Sequence, residues 1–148
     1  MLFYHDRQKI RQFYFDSWSK YQNNQPLEPV EMMIAEVIKQ HPEYHILLDS
    51  EVENQDQDYF PEAGESNPFL HMGMHIAIME QLSTQRPKEI VEIHQSLSKS
   101  LGDCHQAEHQ IMECLAEMLW QSQRQGEAPD EKTYIENLTQ LVKRRKTP

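Results

Sequence analysis

Apolar side chains recur at three- and four-residue steps along almost the whole of this chain, and each run carries its own start or stop signal. No run shows the strict alternation of a half-buried strand. The pattern predicts an all-α fold, a single-domain bundle of five or six helices with one long acidic loop. At 148 residues the chain is long enough to bury one hydrophobic core.

The first helix is predicted over residues 7–21, with Asp6 as N-cap and Ile10, Phe13, Tyr14, Trp18 and Tyr21 on its inner face. The second starts at Pro29, with Val30, Met33, Ile34, Val37 and Ile38 inward. Pro42 disfavours helical geometry at His41 and predicts a break there, followed by a short helix over 43–48. Residues 49–66 hold seven acids and no base, which predicts an exposed loop. Asn67-Pro68 opens a third helix carrying Leu70, Met74, Ile78 and Leu82. Pro87 opens a fourth with Ile90, Ile93, Leu97 and Leu101, which Gly102 ends. Asp103, with Gln106 as capping-box partner, starts a fifth helix with Ile111, Met112, Leu115, Met118 and Leu119 inward, which runs to Gly126. Asp130 caps a last helix with Ile135, Leu138, Leu141 and Val142.

Composition removes several function classes. A net charge of -10 argues against a nucleic-acid partner, whose phosphates need clustered lysine and arginine. The one basic run, Lys143 to Lys146, suits the negative end of a closing helix. No stretch approaches the roughly 18 apolar residues of a membrane span, so no membrane partner is expected. A homo-oligomer or a protein partner is the class that stays open. Cys104 and Cys114 on one helix stand about 15 Å apart along its axis. A disulfide needs Cα atoms within roughly 7 Å, so the two do not pair, and a reducing, cytoplasmic compartment follows. The first residues hold no apolar core of signal-peptide length.

Six of the eight histidines form three pairs of identical spacing: His41/His45, His71/His75 and His105/His109. Four residues apart on a helix, two imidazoles share one face and can converge on a divalent metal such as zinc or iron. His71 and His75 share the face of Met74 and Ile78. His105 and His109 flank the stripe of the fifth helix, and Glu113, one turn on, could add a carboxylate. These five residues are the first-choice ligands. His41 and His45 are second choices, because Pro42 interrupts that pair, and Glu36 and Glu80 are second-choice carboxylates on neighbouring helices. The plain alternative is a set of partly buried histidines satisfied by carbonyls, carboxylates or water.

Three sharper patterns bear on these residues. His105-Gln106-Ala107-Glu108-His109 matches H-x-x-E-H, in which two histidines bind zinc and the glutamate is general base. His109 with Glu113, and His75 with Glu80, are similar to the ligand vocabulary of hemerythrin-like bundles, in a different order and without an E-x-x-H element. Asn54, Asp56, Asp58 and Glu65 fall at four calcium-loop positions, but Tyr59 stands where glycine is required and Pro61 sits inside the loop. Cys104 at a helix N-terminus beside His105 makes a poor catalytic pair, since sequence neighbours on a helix do not face each other.

The run Asn67-Pro68-Phe69-Leu70-His71, continued by His75, Ala77-Ile78 and Glu80-Gln81, resembles a bacterial family called domain of unknown function 1841. Matching stretches are Phe13-Tyr14-Phe15-Asp16 with Trp18, His41-Pro42-Glu43-Tyr44-His45, Asp58-Tyr59 with Pro61-Glu62 and Gly64, and His109 followed by Glu113-Cys114-Leu115 and Glu117-Met118. The resemblance implies a bacterial, cytoplasmic protein and supplies no activity. Two functions remain in view: a metal-binding protein, oxidoreductase-like or hydrolytic if an enzyme, and a non-catalytic helical interaction or adaptor protein whose histidines are structural.

Overall fold

Proline, glycine and capping side chains divide the chain where backbone chemistry requires it. The computed structural model describes residues 4–54, 57–59 and 67–146, and among them there is no strand. The helices are α1 (Tyr4–Gln22), α2 (Pro29–Lys39), a 3-10 turn (Pro42–Tyr44), α3 (His45–Asp49), α4 (Glu51–Asn54), α5 (Pro68–Thr84), α6 (Ile90–Leu101), α7 (Cys104–Gln125) and α8 (Glu131–Lys146). Contacts group them into two compact units, Met1–Ile76 and Ala77–Pro148.

In the first unit, α1 packs on α2 and α3. Pro29 opens α2, and Glu28 and Glu31 close a capping box across its first turn. Glu31 also takes a 2.7 Å ion pair from Lys20 of α1. Tyr14, Phe15 and Trp18 are buried with Ile34, Val37 and Ile38. Phe69, from the start of α5, meets Tyr14 and Phe15 edge-on at 5.6 and 5.9 Å.

The expected inner face of α1 is corrected. Phe13 is 54% exposed, and Ile10 and Tyr21 are also exposed, while Arg11 and Phe15 are buried. The reason lies in Arg11. Its guanidinium sits 4.7 Å from the Phe69 ring centre and donates to the Gln57 carbonyl at 2.7 Å, so a charged residue takes a core position that a count of apolar residues skips. Asp6 lies inside α1 and does not cap it, because the helix begins at Tyr4.

The expected irregular run over 49–66 is also corrected in part. Asp49 ends α3, where it accepts from the Trp18 indole at 3.2 Å. The segment Glu51–Asn54 winds into a helical turn, closed by the Asn54 amide on the Ser50 and Leu47 carbonyls. Residues 57–59 are irregular. Residues 55, 56 and 60–66, with Asp56, Glu62 and Glu65 of the expected acidic loop, lie outside the described residues.

In the second unit, α6, α7 and α8 all touch one another. The stripe Ile90, Ile93, Leu97 is buried against Ile111 and Leu115 of α7 and Leu138 of α8. Gly102 and Gly126 end α6 and α7 at φ 73° and 68°, the left-handed conformation that a side chain resists. Asp130 caps α8 by accepting from the Thr133 amide and hydroxyl, and those bonds hold its carboxyl below the usual range. Tyr134, absent from the expected stripe, is buried and donates to Gln81 at 2.9 Å. Helix α6 starts at Ile90 rather than Pro87, since Gln85 with φ 56° and the turn after it delay helical winding.

Candidate metal centre

The break at His41-Pro42 builds the first part of the site. The last turn of a helix leaves carbonyls without intrahelical partners. Here two imidazoles take them: His41 Nδ1 lies 2.7 Å from the Val37 oxygen, and His45 Nε2 lies 2.9 Å from the Ile38 oxygen. Each ring nitrogen donates, since a carbonyl only accepts. The residue pair is thereby split. His45 lies against Trp18, ring centres 4.6 Å apart, and His41, 2% exposed, turns toward α5.

On α5, His71 and His75 stand one turn apart with ring centres 4.9 Å from each other. His41 approaches them at 5.1 and 4.6 Å. Helical spacing supplies two of these imidazoles and a chain break supplies the third. His75 is fully buried and His71 partly so. Tyr44 lies flat on His41 at 5.4 Å and meets His71 edge-on at 6.2 Å. Burial and Glu43 push the Tyr44 phenol up, so it stays a neutral wall of the cluster.

Helix α7 begins where Asp103 accepts from the His105 amide at 3.0 Å. That cap sets the phase of the helix. His105 and His109 then stack one turn apart, ring centres 4.3 Å from each other. Between them in sequence, Glu108 is buried, and its carboxylate lies 3.5 Å from His94 Nε2 on α6. Cys104 is exposed, and the half-buried Cys114 thiol is pushed up by burial and by Glu113.

The first unit thus brings three imidazoles together, His41, His71 and His75, and the second brings two, His105 and His109. Imidazoles grouped in this way are suited to a divalent transition metal. The remaining candidates are placed differently. His45 is committed to Ile38 and Trp18. Glu113, Glu36 and Glu80 are exposed, with Glu36 3.4 Å from Lys39. Asn54, the first calcium-loop position, spends its amide on carbonyls, and Asp56 and Glu65 fall outside the described residues. Sequence reasoning ranked His41 below His71 because of Pro42. Yet the break that spoils a helical pair is what frees His41 to turn. It gave no sign of His94, whose role depends on α6 packing against α7.

Among the described residues no helix is long and apolar enough to cross a membrane. A family model described as a domain of unknown function, number 1841, matches residues 6–140. No curated protein and no solved structure matches the chain.

Proposed function

The chain belongs to the family of domain of unknown function 1841, and for this member we propose metal binding: a divalent transition ion, zinc or iron, held through its histidine groups, His41, His71 and His75 in the first unit and His105 and His109 in the second. The observation that carries the reading is the approach of the His41, His71 and His75 rings, whose centres lie 4.6 to 5.1 Å apart. The bond from His41 Nδ1–H to Val37 adds support. Metal-bound imidazoles nearly always donate the other ring nitrogen to a carbonyl or carboxylate, which orients the ring and fixes its tautomer. Imidazole donors select zinc, copper, nickel and ferrous iron over magnesium or calcium, which prefer oxygen.

Three imidazoles leave tetrahedral zinc one position for an exchangeable ligand. Calorimetric titration of metal-stripped, untagged protein tests the proposal. The reading expects zinc or ferrous iron bound, with binding weakened in His75→Ala. Titration heats no larger than those of buffer would overturn it. The one-domain organisation and a bacterial, reducing cytoplasm go with the proposal, the latter supported by the free thiols of Cys104 and Cys114.

The second reading, a helical interaction protein with structural histidines, draws on Phe13, Ile46, Leu70 and Trp120, large apolar side chains left exposed. Sedimentation of the metal-stripped protein tests it. Self-association that Phe13→Ser or Trp120→Ser abolishes favours it, and a monomer at all concentrations counts against a homo-oligomer.

A further inference from the structure

We infer that His41, His71 and His75 form an open metal site whose exchangeable position takes a small anion from solution. The inference rests on the metal-binding reading above and deepens it by naming the class of ligand.

An imidazole binds a metal through the in-plane lone pair of one ring nitrogen. With zinc about 2.0–2.1 Å from that nitrogen, the ring centre stands about 3.2 Å from the ion, and rings at three tetrahedral corners have centres about 5 Å apart. The observed separations are 4.6 Å for His41 and His75, 4.9 Å for His71 and His75, and 5.1 Å for His41 and His71. The planes of these pairs meet at 64°, 70° and 82°, so no two rings stack and all three can turn an edge toward one point. His41 is already oriented, because its Nδ1–H donates to the Val37 carbonyl and its Nε2 keeps the lone pair. All three ligands belong to the first unit, one from just past the end of α2 and two from neighbouring turns of α5.

Charge decides what fills the fourth corner. Imidazole ligands are neutral, so they leave the ion both of its positive charges. Three protein ligands and one open position make the arrangement of catalytic rather than structural zinc. An anion at that position offsets the charge, in surroundings too dry for water to screen it well. Burial sets the size of the anion. His41 and His75 are buried, while His71 and Tyr44 are partly exposed, so the way in from solvent runs past these two. Tyr44 lies flat on His41, ring centres 5.4 Å apart, and meets His71 edge-on at 6.2 Å, which narrows that way. A slender anion such as azide passes, and a bulky one such as benzoate does not.

Cobalt(II) in place of zinc makes the site visible, because its absorption band reports the ligands. Metal-stripped, untagged protein is loaded with a deficit of cobalt and titrated with sodium azide and, separately, with sodium benzoate. Azide should change the visible band in a saturable way that dialysis reverses, and benzoate should leave it unchanged. The band itself should be lost in His75→Ala. A cobalt band that azide does not alter overturns the inference, because protein groups would then fill the shell. An equal response to benzoate overturns the assignment to small anions. Wild-type protein that takes up neither cobalt nor zinc overturns the metal-binding reading itself.

Discussion

Nδ1 of His41 lies 2.7 Å from the backbone oxygen of Val37, four residues back in the chain. This one bond closes the end of α2 and sets the tautomer of the buried ring, with the proton on Nδ1 and the lone pair on Nε2. Nitrogen-15 NMR of the metal-stripped protein should show that tautomer, and a proton on Nε2 would contradict it. His41→Ala should cost about 2–3 kcal/mol in urea unfolding with chelator present, from the cavity and the lost bond. It should also abolish metal uptake.

His45 provides the contrast. Its Nε2 donates to Ile38 and its ring packs on Trp18, so its work is to hold α3 against α1. His45→Ala should lower stability by about 1–2 kcal/mol and leave metal stoichiometry unchanged. Loss of metal in this variant, with the fold intact by circular dichroism, would mean that the pair His41/His45 acts together.

Tyr14 carries an alkaline signature. Burial pushes its phenol from 10.0 up to about 12. The folded state therefore holds the proton more tightly than the unfolded state. The associated stability is fully present below pH 10 and is lost as pH rises from about 10 to about 12. The loss is on the order of 2 kcal/mol. Urea unfolding at pH 9 and pH 12 should show wild type losing more stability than Tyr14→Phe, and equal losses would contradict the burial of this hydroxyl.

How much could be read beforehand differs from element to element. The stripe Ile90, Ile93, Leu97 has one apolar side only, and the structure buries it as expected. Helix α1 has apolar residues all round, so periodicity alone could not choose between Phe13 and Phe15. Arg11 decided it by pairing with Phe69 and Gln57, a contact between segments far apart in sequence. The candidate site divides in the same way. His71, His75, His105 and His109 were legible because helical spacing is written in the chain. The place of His41 follows from a bond that its ring makes after the helix has ended, and that of Glu108 from the packing of α6 on α7. Neither leaves a periodic trace.

The exposed acids give a negative control. Glu36, Glu80 and Glu113 face solvent, where water screens a charge and a surface substitution changes stability by no more than about 0.5 kcal/mol. Glu36→Gln, Glu80→Gln and Glu113→Gln should each keep wild-type metal content by elemental analysis. A drop in Glu113→Gln would bring that carboxylate into the metal's shell.

The most direct measurement of the central claim is the metal content of untagged protein by mass spectrometry of its elements, paired with the melting temperature before and after chelation. The account predicts zinc or iron bound to the chain, loss of metal in His75→Ala, and a lower melting temperature once the metal is removed, because binding favours the folded state. Protein that purifies without metal, and whose melting temperature does not rise when zinc or ferrous iron is added, would contradict it and leave the histidines as polar groups of the fold.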